Sequence, residues 1–232
     1  YVLAVVALPL AQIRGNLLGA KEIVLSFDDG PNNYTSPILL DTLKRYDIKA
    51  LFFHVGANID NAALMHRFME EGHCMGVHTM SHAHLTRLSA AAAHDEIDAA
   101  VQVFRNVTGQ VPIFFRPPYG ESNPSIIAYV HEKKMFSFMW DIDSSDWRIH
   151  DHLARSIGGT VHNHGILLMH EYQWTTNEVD DIIRTIHDHG YTIVHPLELL
   201  THEDIMRAKG AICPSTVQTW CDYVSSHEKV EL

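Results

Sequence analysis

Cysteine is scarce in this chain, which has three among 232 residues. Cys213 and Cys221 flank a short segment and can close a small loop in an oxidising compartment; the sequence leaves open whether they do. Cys74 is then the odd thiol, and we expect it to be buried. Glycosylation sequons at residues 33–35 and 106–108 suit the same kind of compartment. We therefore expect a secreted, cell-wall or cell-surface protein.

Basic residues are also few. The chain has 17 lysines and arginines against 28 aspartates and glutamates, a net charge of -11 with histidine neutral. A protein that binds nucleic acid or another anionic polymer needs a positive field, because contacts to phosphates supply much of its affinity. The composition therefore argues against a nucleic-acid partner and favours a neutral or cationic one.

The sequence has no apolar segment long enough to span a membrane and no linker that would separate several domains. The apolar stretch at residues 2–10 is too short to cross a bilayer as a helix, so we expect no stable membrane span. The segment 1–21 is either the remnant of a secretion signal or a strand packed against the core. No linker rich in proline, glycine or serine divides the rest. We predict one domain at residues 22–203 and a tail at residues 204–232 that packs on it. The oligomeric state is not indicated.

Apolar segments rich in β-branched and aromatic residues alternate with segments of helical periodicity. Seven strands are predicted, at residues 22–27, 50–55, 74–77, 113–115, 136–140, 166–169 and 191–194. Six helices are predicted between them, at residues 36–45, 61–71, 89–106, 124–134, 151–162 and 177–189. Ser89 is placed to cap the third helix and Gly109 to end it. This alternation predicts an α/β fold with parallel strands, as a barrel or a wound sheet.

Polar residues follow five of the apolar segments, and their order is the most informative feature of the chain. The clusters are SFDDGP at residues 26–31, HTMSH at 78–82, RPPY at 116–119, DSSDW at 143–147 and LLMH at 167–170. Barrels and wound sheets place their chemistry at the carboxyl ends of parallel strands. We therefore expect the five clusters to meet at one edge of the sheet.

The first two clusters contain residues that suit a metal ion. Asp28 and Asp29 are adjacent acids, and like charges at close range raise one pKa unless a positive charge compensates. His78 and His82 can converge on one cation, and a carboxylate completes a two-histidine, one-carboxylate set with open positions. His-x-x-x-His is a weak signal among 18 histidines, so this interpretation rests on all five clusters together. The sequence predicts a catalytic type of zinc site.

The remaining clusters each have a structural and a functional interpretation. Arg116 is either part of a surface salt bridge or a fork that holds one paired aspartate ionised. The two prolines after it stiffen the backbone, so that the amide of Tyr119 can serve as an oxyanion donor. Trp147 and Leu168 either belong to the core or line a small apolar pocket that suits a methyl group.

In this order, the motifs resemble the polysaccharide deacetylase family, also described as the NodB-homology domain or carbohydrate esterase family 4. Among its members, the fungal-type chitin deacetylases look most similar. The resemblance runs from residue 22 to about residue 194 and includes residues 35–43. It implies a distorted (β/α) barrel with about seven parallel strands and a divalent metal, usually zinc, with cobalt as another possibility. It also implies removal of N-acetyl groups from chitin or N-acetylglucosamine oligosaccharides.

The resemblance also implies a role for each motif residue. Asp28 would be the general base, held by Arg116, and His170 would be the general acid, oriented and kept charged by Asp146. The implied metal ligands are Asp29, His78 and His82; the implied oxyanion donor is the Tyr119 amide; and the implied acetyl pocket is lined by Trp147 and Leu168. Acetate and a glucosamine unit would be released, with a bell-shaped dependence of rate on pH.

Four positions depart from the pattern of the fungal members: Met80, Ala83, Glu171 and His195. They concern substrate fit and turnover more than the type of reaction, because the catalytic set is intact. An alternative hypothesis is therefore a catalytically weak or inactive member that acts as a glycan-binding or cell-wall protein. Within the enzyme class, O-acetyl-xylan or peptidoglycan is an alternative substrate.

Overall fold

A computed structural model describes residues 12–161, 164–201 and 204. The apolar stretch 2–10, the Cys213–Cys221 loop and nearly all of the predicted tail lie outside these residues, so the hypotheses about them stay predictions. Cys74 is buried as a free thiol, as expected.

Eight strands form one sheet, and every pairing between them is parallel. They are β1 (Glu22–Asp28), β2 (Leu51–His54), β3 (Cys74–Val77), β4 (Phe114–Phe115), β5 (Phe136–Ser137), β6 (Ile142–Asp143), β7 (Gly165–His170) and β8 (Thr192–Ile193). The order across the sheet is β5-β4-β3-β2-β1-β7-β6, and β8 pairs with the first two residues of β1. The predicted α/β class with parallel strands is confirmed.

The sheet differs from the prediction between residues 136 and 143. The fifth predicted strand ends at Ser137, and the unpredicted strand β6 follows and pairs with β7. Both strands are two residues long, too short for a periodicity signal. Within residues 12–161 and 164–201 no ladder joins β5 to β6. Ile13 forms a parallel bridge with Phe138 there, and the backbone N–H of Gly15 donates to Asp141 at 2.8 Å. The result is a distorted, open (β/α) barrel.

Six α-helices connect the strands, as predicted. They are α1 (Thr35–Arg45), α2 (Ala62–Glu70), α3 (Ala90–Thr108), α4 (Pro124–Glu132), α5 (Leu153–Thr160) and α6 (Gln173–Asp188). Ser89 accepts a hydrogen bond from the backbone of Ala92 and caps α3, and Gly109 ends it with a φ of 72°. Helix α6 begins four residues earlier than predicted, which brings its first turn beside the strand-end motifs. No helix among the described residues is long and apolar enough to span a membrane.

The strand register explains why the motif residues meet. Six of the seven residues of β1 are buried, and along this central strand Asp28 lies level with His170 of β7 and with Phe53 of β2. Val77 lies level with Phe115, so the next residues, His78 and Arg116, leave the sheet at the same edge. All five clusters therefore end at the carboxyl edge of one parallel sheet.

Candidate active site

Arg116 and Asp28 form a buried ion pair. Arg116 is completely buried, and its Nη1 donates to Asp28 Oδ1 at 2.7 Å and to Ser26 Oγ at 3.0 Å. Its Nη2 donates to the carbonyl of Met139 at 3.2 Å, and its guanidinium lies 4.2 Å from the ring centroid of Phe53. Arg116 is thus not part of a surface salt bridge. Burial raises the pKa of Asp28 above its usual value, and the charge and hydrogen bond of Arg116 offset only part of that rise.

The three predicted metal ligands converge. Asp29 Oδ1 lies 3.3 Å from His82 Nε2 and 3.7 Å from His78 Nε2, and one ligand atom from each residue lies within 4.8 Å of the others. The opposite ring nitrogens are held, His78 Nδ1 by the carbonyl of Arg116 at 2.7 Å and His82 Nδ1 by the hydroxyl of Tyr119 at 3.1 Å. This arrangement turns both Nε2 atoms toward Asp29.

These residues fit a divalent metal ion. Asp29 Oδ1 is buried and, among the described residues, has no hydrogen-bond partner, which is a costly arrangement unless a cation compensates it. Burial lowers the pKa of His78 to about 3, so its imidazole is neutral, as a metal ligand must be. Two imidazoles and one carboxylate leave coordination positions open for water and substrate.

The backbone at the site is held in the left-handed region. Asp29, His82 and Tyr119 have φ angles of 69°, 59° and 60°. Each non-glycine residue in such a conformation costs on the order of 1–3 kcal/mol and persists only where its surroundings enforce it. Here the conformation aims two of the three metal-ligand candidates.

The predicted acid forms a tight pair with Asp146. His170 Nδ1 lies 2.6 Å from Asp146 Oδ1, and the backbone N–H of His170 donates to Oδ2 at 2.7 Å. Thr175 Oγ1 also donates to Oδ2, at 2.7 Å, and Trp174 Nε1 donates to the Asp146 carbonyl at 2.8 Å. Burial lowers the pKa of His170, but the hydrogen bond and charge of Asp146 outweigh that effect, so the pKa is raised overall. The arrangement favours the imidazolium, which can donate a proton.

The residues predicted to contact substrate differ in their exposure to solvent. Leu168 is buried in β7, whereas the side chain of Trp147 is 55% exposed beside Asp146. The shared acetyl pocket of these two residues stays a prediction, as does the oxyanion role of the Tyr119 amide. The ring of Tyr119 stacks on His84 with centroids 3.7 Å apart, a contact that the sequence did not indicate.

Glu171 lies behind the Asp28–Asp29 segment. Its backbone N–H donates to the carbonyl of Asp28 at 3.1 Å, and its carboxyl group is hydrogen-bonded by Ser36. Burial raises its pKa to about 8, so the group is mostly protonated at neutral pH. A Cβ on Gly30 would lie 1.7 Å from Glu171 Oε1, so a side chain at this position would have to displace the Glu171 carboxyl group.

Sequence reasoning missed three residues that touch the site: Tyr172, Trp174 and Thr175. They follow His170 directly, but the predicted α6 began at residue 177 and left them in a loop. Their position just after a motif at a strand end was the available signal. Tyr172 also helps to line a cleft of about 360 Å³ beside Asp29.

Comparison with known proteins agrees with this geometry. Residues 16–136, just over half of the chain, match the family model described as polysaccharide deacetylase. The chain is 35% identical over 159 residues to the peptidoglycan-N-acetylglucosamine deacetylase PgdA of Listeria monocytogenes; the match covers 67% of this chain and 34% of that protein. The chain thus spans about a third of the length of that relative.

Two further relatives are more similar in length. A chitooligosaccharide deacetylase from Bradyrhizobium is 32% identical over 171 residues, which cover 71% of this chain and 78% of the relative. The crystal structure of BA3943, described as a CE4 family pseudoenzyme from Bacillus anthracis, superimposes with a TM-score of 0.76 at 26% identity and covers 84% of this chain and 70% of that one. With five motifs at one sheet edge and a family model matching half its length, this chain belongs to the polysaccharide deacetylase family.

Proposed function

We propose that this protein is a metal-dependent hydrolase that removes N-acetyl groups from a polysaccharide of N-acetylglucosamine units and releases acetate. The observation that carries the proposal is the convergence of a carboxylate base, a metal-ligand triad and a histidine acid at one edge of the sheet. These are the groups that amide hydrolysis needs, because water must be activated and the amine leaves poorly unless it is protonated.

Asp29, His78 and His82 would hold the metal, for which we propose zinc. Once bound, such an ion acts as a Lewis acid that lowers the pKa of a water molecule and polarises the acetamide carbonyl. Asp28, fixed by Arg116, accepts the proton of the attacking water. The developing negative charge on the carbonyl oxygen is stabilised by the backbone N–H of Tyr119.

His170 completes the reaction. Its imidazolium, kept charged by Asp146, donates a proton to the glucosamine nitrogen as the carbon–nitrogen bond breaks. The products are acetate and a free amino group on the sugar. The base and the acid must be in opposite protonation states, so the rate has a bell-shaped dependence on pH.

Chitin or its oligosaccharides are the proposed substrate. The ten residues that line the cleft beside Asp29 include no lysine or arginine, and of the three acidic ones Glu171 is mostly protonated at neutral pH. Peptidoglycan, the polymer named for the Listeria relative, carries anionic stem peptides on its muramic acid units, and this cleft offers no cationic side chain to bind them. The N-acetylglucosamine units of chitin are neutral. A secreted or cell-wall location, where such polymers occur, belongs to the same proposal.

The test is acetate release by metal-free protein, with and without added zinc, on three substrates: N-acetylglucosamine oligomers, peptidoglycan fragments and acetylated xylan. We expect zinc-dependent release that is fastest on the oligomers and is lost in Asp28→Asn. Activity that survives both Asp28→Asn and His78→Ala would overturn the mechanism. Faster release from peptidoglycan or xylan would overturn only the proposal that chitin is the substrate.

A glycan-binding protein without catalysis is the second candidate. It is supported by the superposition on a CE4 family pseudoenzyme and by the departures at Met80, Ala83 and His195. Binding of oligosaccharide by zinc-loaded protein without acetate release on any of the three substrates would favour it. The intact pairs Arg116–Asp28 and Asp146–His170 are the reason that we place it second.

A further inference from the structure

Tyr172 touches both halves of the candidate site. It is half-buried between β7 and α6, two residues after His170. Its hydroxyl donates to Asp29 Oδ2 at 3.3 Å, and its ring stacks on the imidazole of His170 with centroids 5.0 Å apart and planes 14° apart. Tyr172 itself lies outside the five motifs that indicated the family.

The hydroxyl contact bears on how Asp29 faces a metal ion. Asp29 Oδ1 is the atom nearest to the Nε2 atoms of His78 and His82, and Oδ2 receives the hydrogen bond of Tyr172. A donor on one carboxylate oxygen restricts rotation of the group and leaves the other oxygen for the cation. Such partners of metal ligands typically contribute a factor of about 10 to 100 in metal affinity.

The ring contact bears on the acid. The ring of Tyr172 packs between His170 and Trp174, whose centroid lies 4.7 Å away. Trp174 is itself anchored by its hydrogen bond to the carbonyl of Asp146. The stack therefore limits the orientations of the His170 imidazole, and it holds the ring of Tyr172 independently of the bond to Asp29.

We propose that Tyr172 is a positioning residue that aligns a metal ligand with the proton donor. Its hydroxyl sets the orientation of the Asp29 carboxylate, and its ring sets that of the His170 imidazole. The part that concerns His170 rests on the proposed deacetylase function, whereas the part that concerns Asp29 requires only that the triad binds a metal.

The first test measures zinc affinity by competition with a chromogenic chelator and needs no substrate. Tyr172→Phe removes the hydroxyl and keeps the stacked ring, and we expect zinc to bind about 10-fold more weakly, the low end of the range because the bond is long. The matched control is Tyr46→Phe, which removes a hydroxyl bonded to Asp180 on another face; its zinc affinity should equal that of the wild type. Equal affinity in Tyr172→Phe, or equal loss in both variants, would overturn the Asp29 part.

The second test measures kcat and KM for acetate release at saturating zinc. Tyr172→Phe should keep a higher kcat than Tyr172→Leu, because its ring still orients His170. Tyr172→Leu should lose about 10- to 100-fold in kcat with little change in KM. A rise in KM with unchanged kcat would instead make Tyr172 a wall of the substrate cleft and overturn its role at His170.

Failure of the proposed function and failure of the role proposed for Tyr172 give different results. If the wild type releases no acetate from any glycan, the proposed function fails, while the zinc measurement still decides the role of the hydroxyl. Thermal unfolding of each variant identifies a Tyr172→Leu protein that does not fold; in that case Tyr172→Met, which keeps bulk without an aromatic face, replaces it with the same expected loss of kcat.

Discussion

Two histidine–carboxylate pairs lie on either side of the peptide bond between His170 and Glu171, and they behave in opposite ways. In the first, His170 and Asp146 are 2.6 Å apart and the pKa of the histidine is raised. In the second, His54 and Glu171 are 3.9 Å apart, burial lowers the pKa of His54 to about 3 and raises that of Glu171 to about 8. The first pair favours charge, and the second is mainly neutral at pH 7.

Hydrogen bonds account for the difference, since all four side chains are largely or fully buried. Asp146 receives the backbone N–H of His170 and the hydroxyl of Thr175 as well as the imidazole. Glu171 Oε1 has no hydrogen-bond partner within the part of the chain that the structure describes, and His54 has a contact with the backbone of Gly30 that offsets the effect of burial on its pKa only in part. Burial alone therefore suppresses charge, and donors aimed at the carboxylate restore it.

The largest expected effect is that of removing His170, and removal of His54 from the second pair is the comparison. His170→Asn should lower kcat by about 100- to 10,000-fold with little change in KM, because the proton donor is lost. His54→Asn should leave kcat near the wild-type value in the folded protein, since the neutral His54 packs in the core against Phe52 and Phe68. Steady-state acetate release decides this, and comparable losses in the two variants would remove the distinction between the pairs.

Asp146→Asn should make the first pair resemble the second, because His170 would no longer be kept charged at neutral pH. The acid form of His170 is lost as pH rises through its pKa, and the Asp146 charge raises that pKa. Removing the charge should therefore move the alkaline limb of the rate profile to lower pH, while the acid limb, set by Asp28, stays in place. We expect a loss on the order of 100-fold at neutral pH. The measurement is kcat/KM against pH, and an unmoved alkaline limb would contradict the assignment.

Glu171→Gln tests the neutral pair through stability. A carboxyl whose pKa rises from 4.5 to about 8 on folding contributes stability that is complete below pH 4.5 and is lost as pH rises toward 8. At about 1.4 kcal/mol per pKa unit, the wild type should lose up to several kcal/mol across that range. The glutamine, which mimics the protonated acid, should lose less. Urea unfolding of metal-free protein at pH 5 and pH 8 measures this, and parallel losses would argue against a protonated Glu171.

The smallest effect is expected for His54→Leu. Because the contact of His54 with the Gly30 backbone does not reach hydrogen-bond geometry, an apolar side chain of similar size should change the free energy of unfolding by less than about 1.5 kcal/mol.

His73→Leu is the matched control for that variant. His73 is also buried with a pKa lowered to about 3, but its Nδ1 accepts the backbone N–H of Ala50 at 3.1 Å. Its loss should cost about 1–3 kcal/mol more, because a buried donor is left unsatisfied. Equal costs by urea unfolding would indicate that the contact of His54 with the Gly30 backbone is as strong as the hydrogen bond of His73.

Much of the fold was predictable because its signals are local. Helix α3 begins after Ser89 and ends at Gly109 as their cap preferences indicate, and the buried strands β1 to β3 are marked by apolar segments. Strand β6 and the first turn of α6 were not predicted. A two-residue strand has no periodicity, and the early start of α6 depends on contacts of Trp174 and Thr175 with Asp146 across the barrel.

The sequence by itself determined which groups assemble at the candidate site. Parallel strands of fixed register bring residues at their carboxyl ends together, so the order of the five motifs was sufficient to group His78 and His82 with the adjacent acids Asp28 and Asp29, and the family resemblance then implied Asp29 as the ligand. The tertiary structure decided how these groups are charged and held: the complete burial of Arg116, the neutrality of His54, and the bond between Tyr172 and Asp29, residues 143 positions apart. These properties depend on burial and on distances near 3 Å between remote segments, and no local pattern in a sequence encodes such distances.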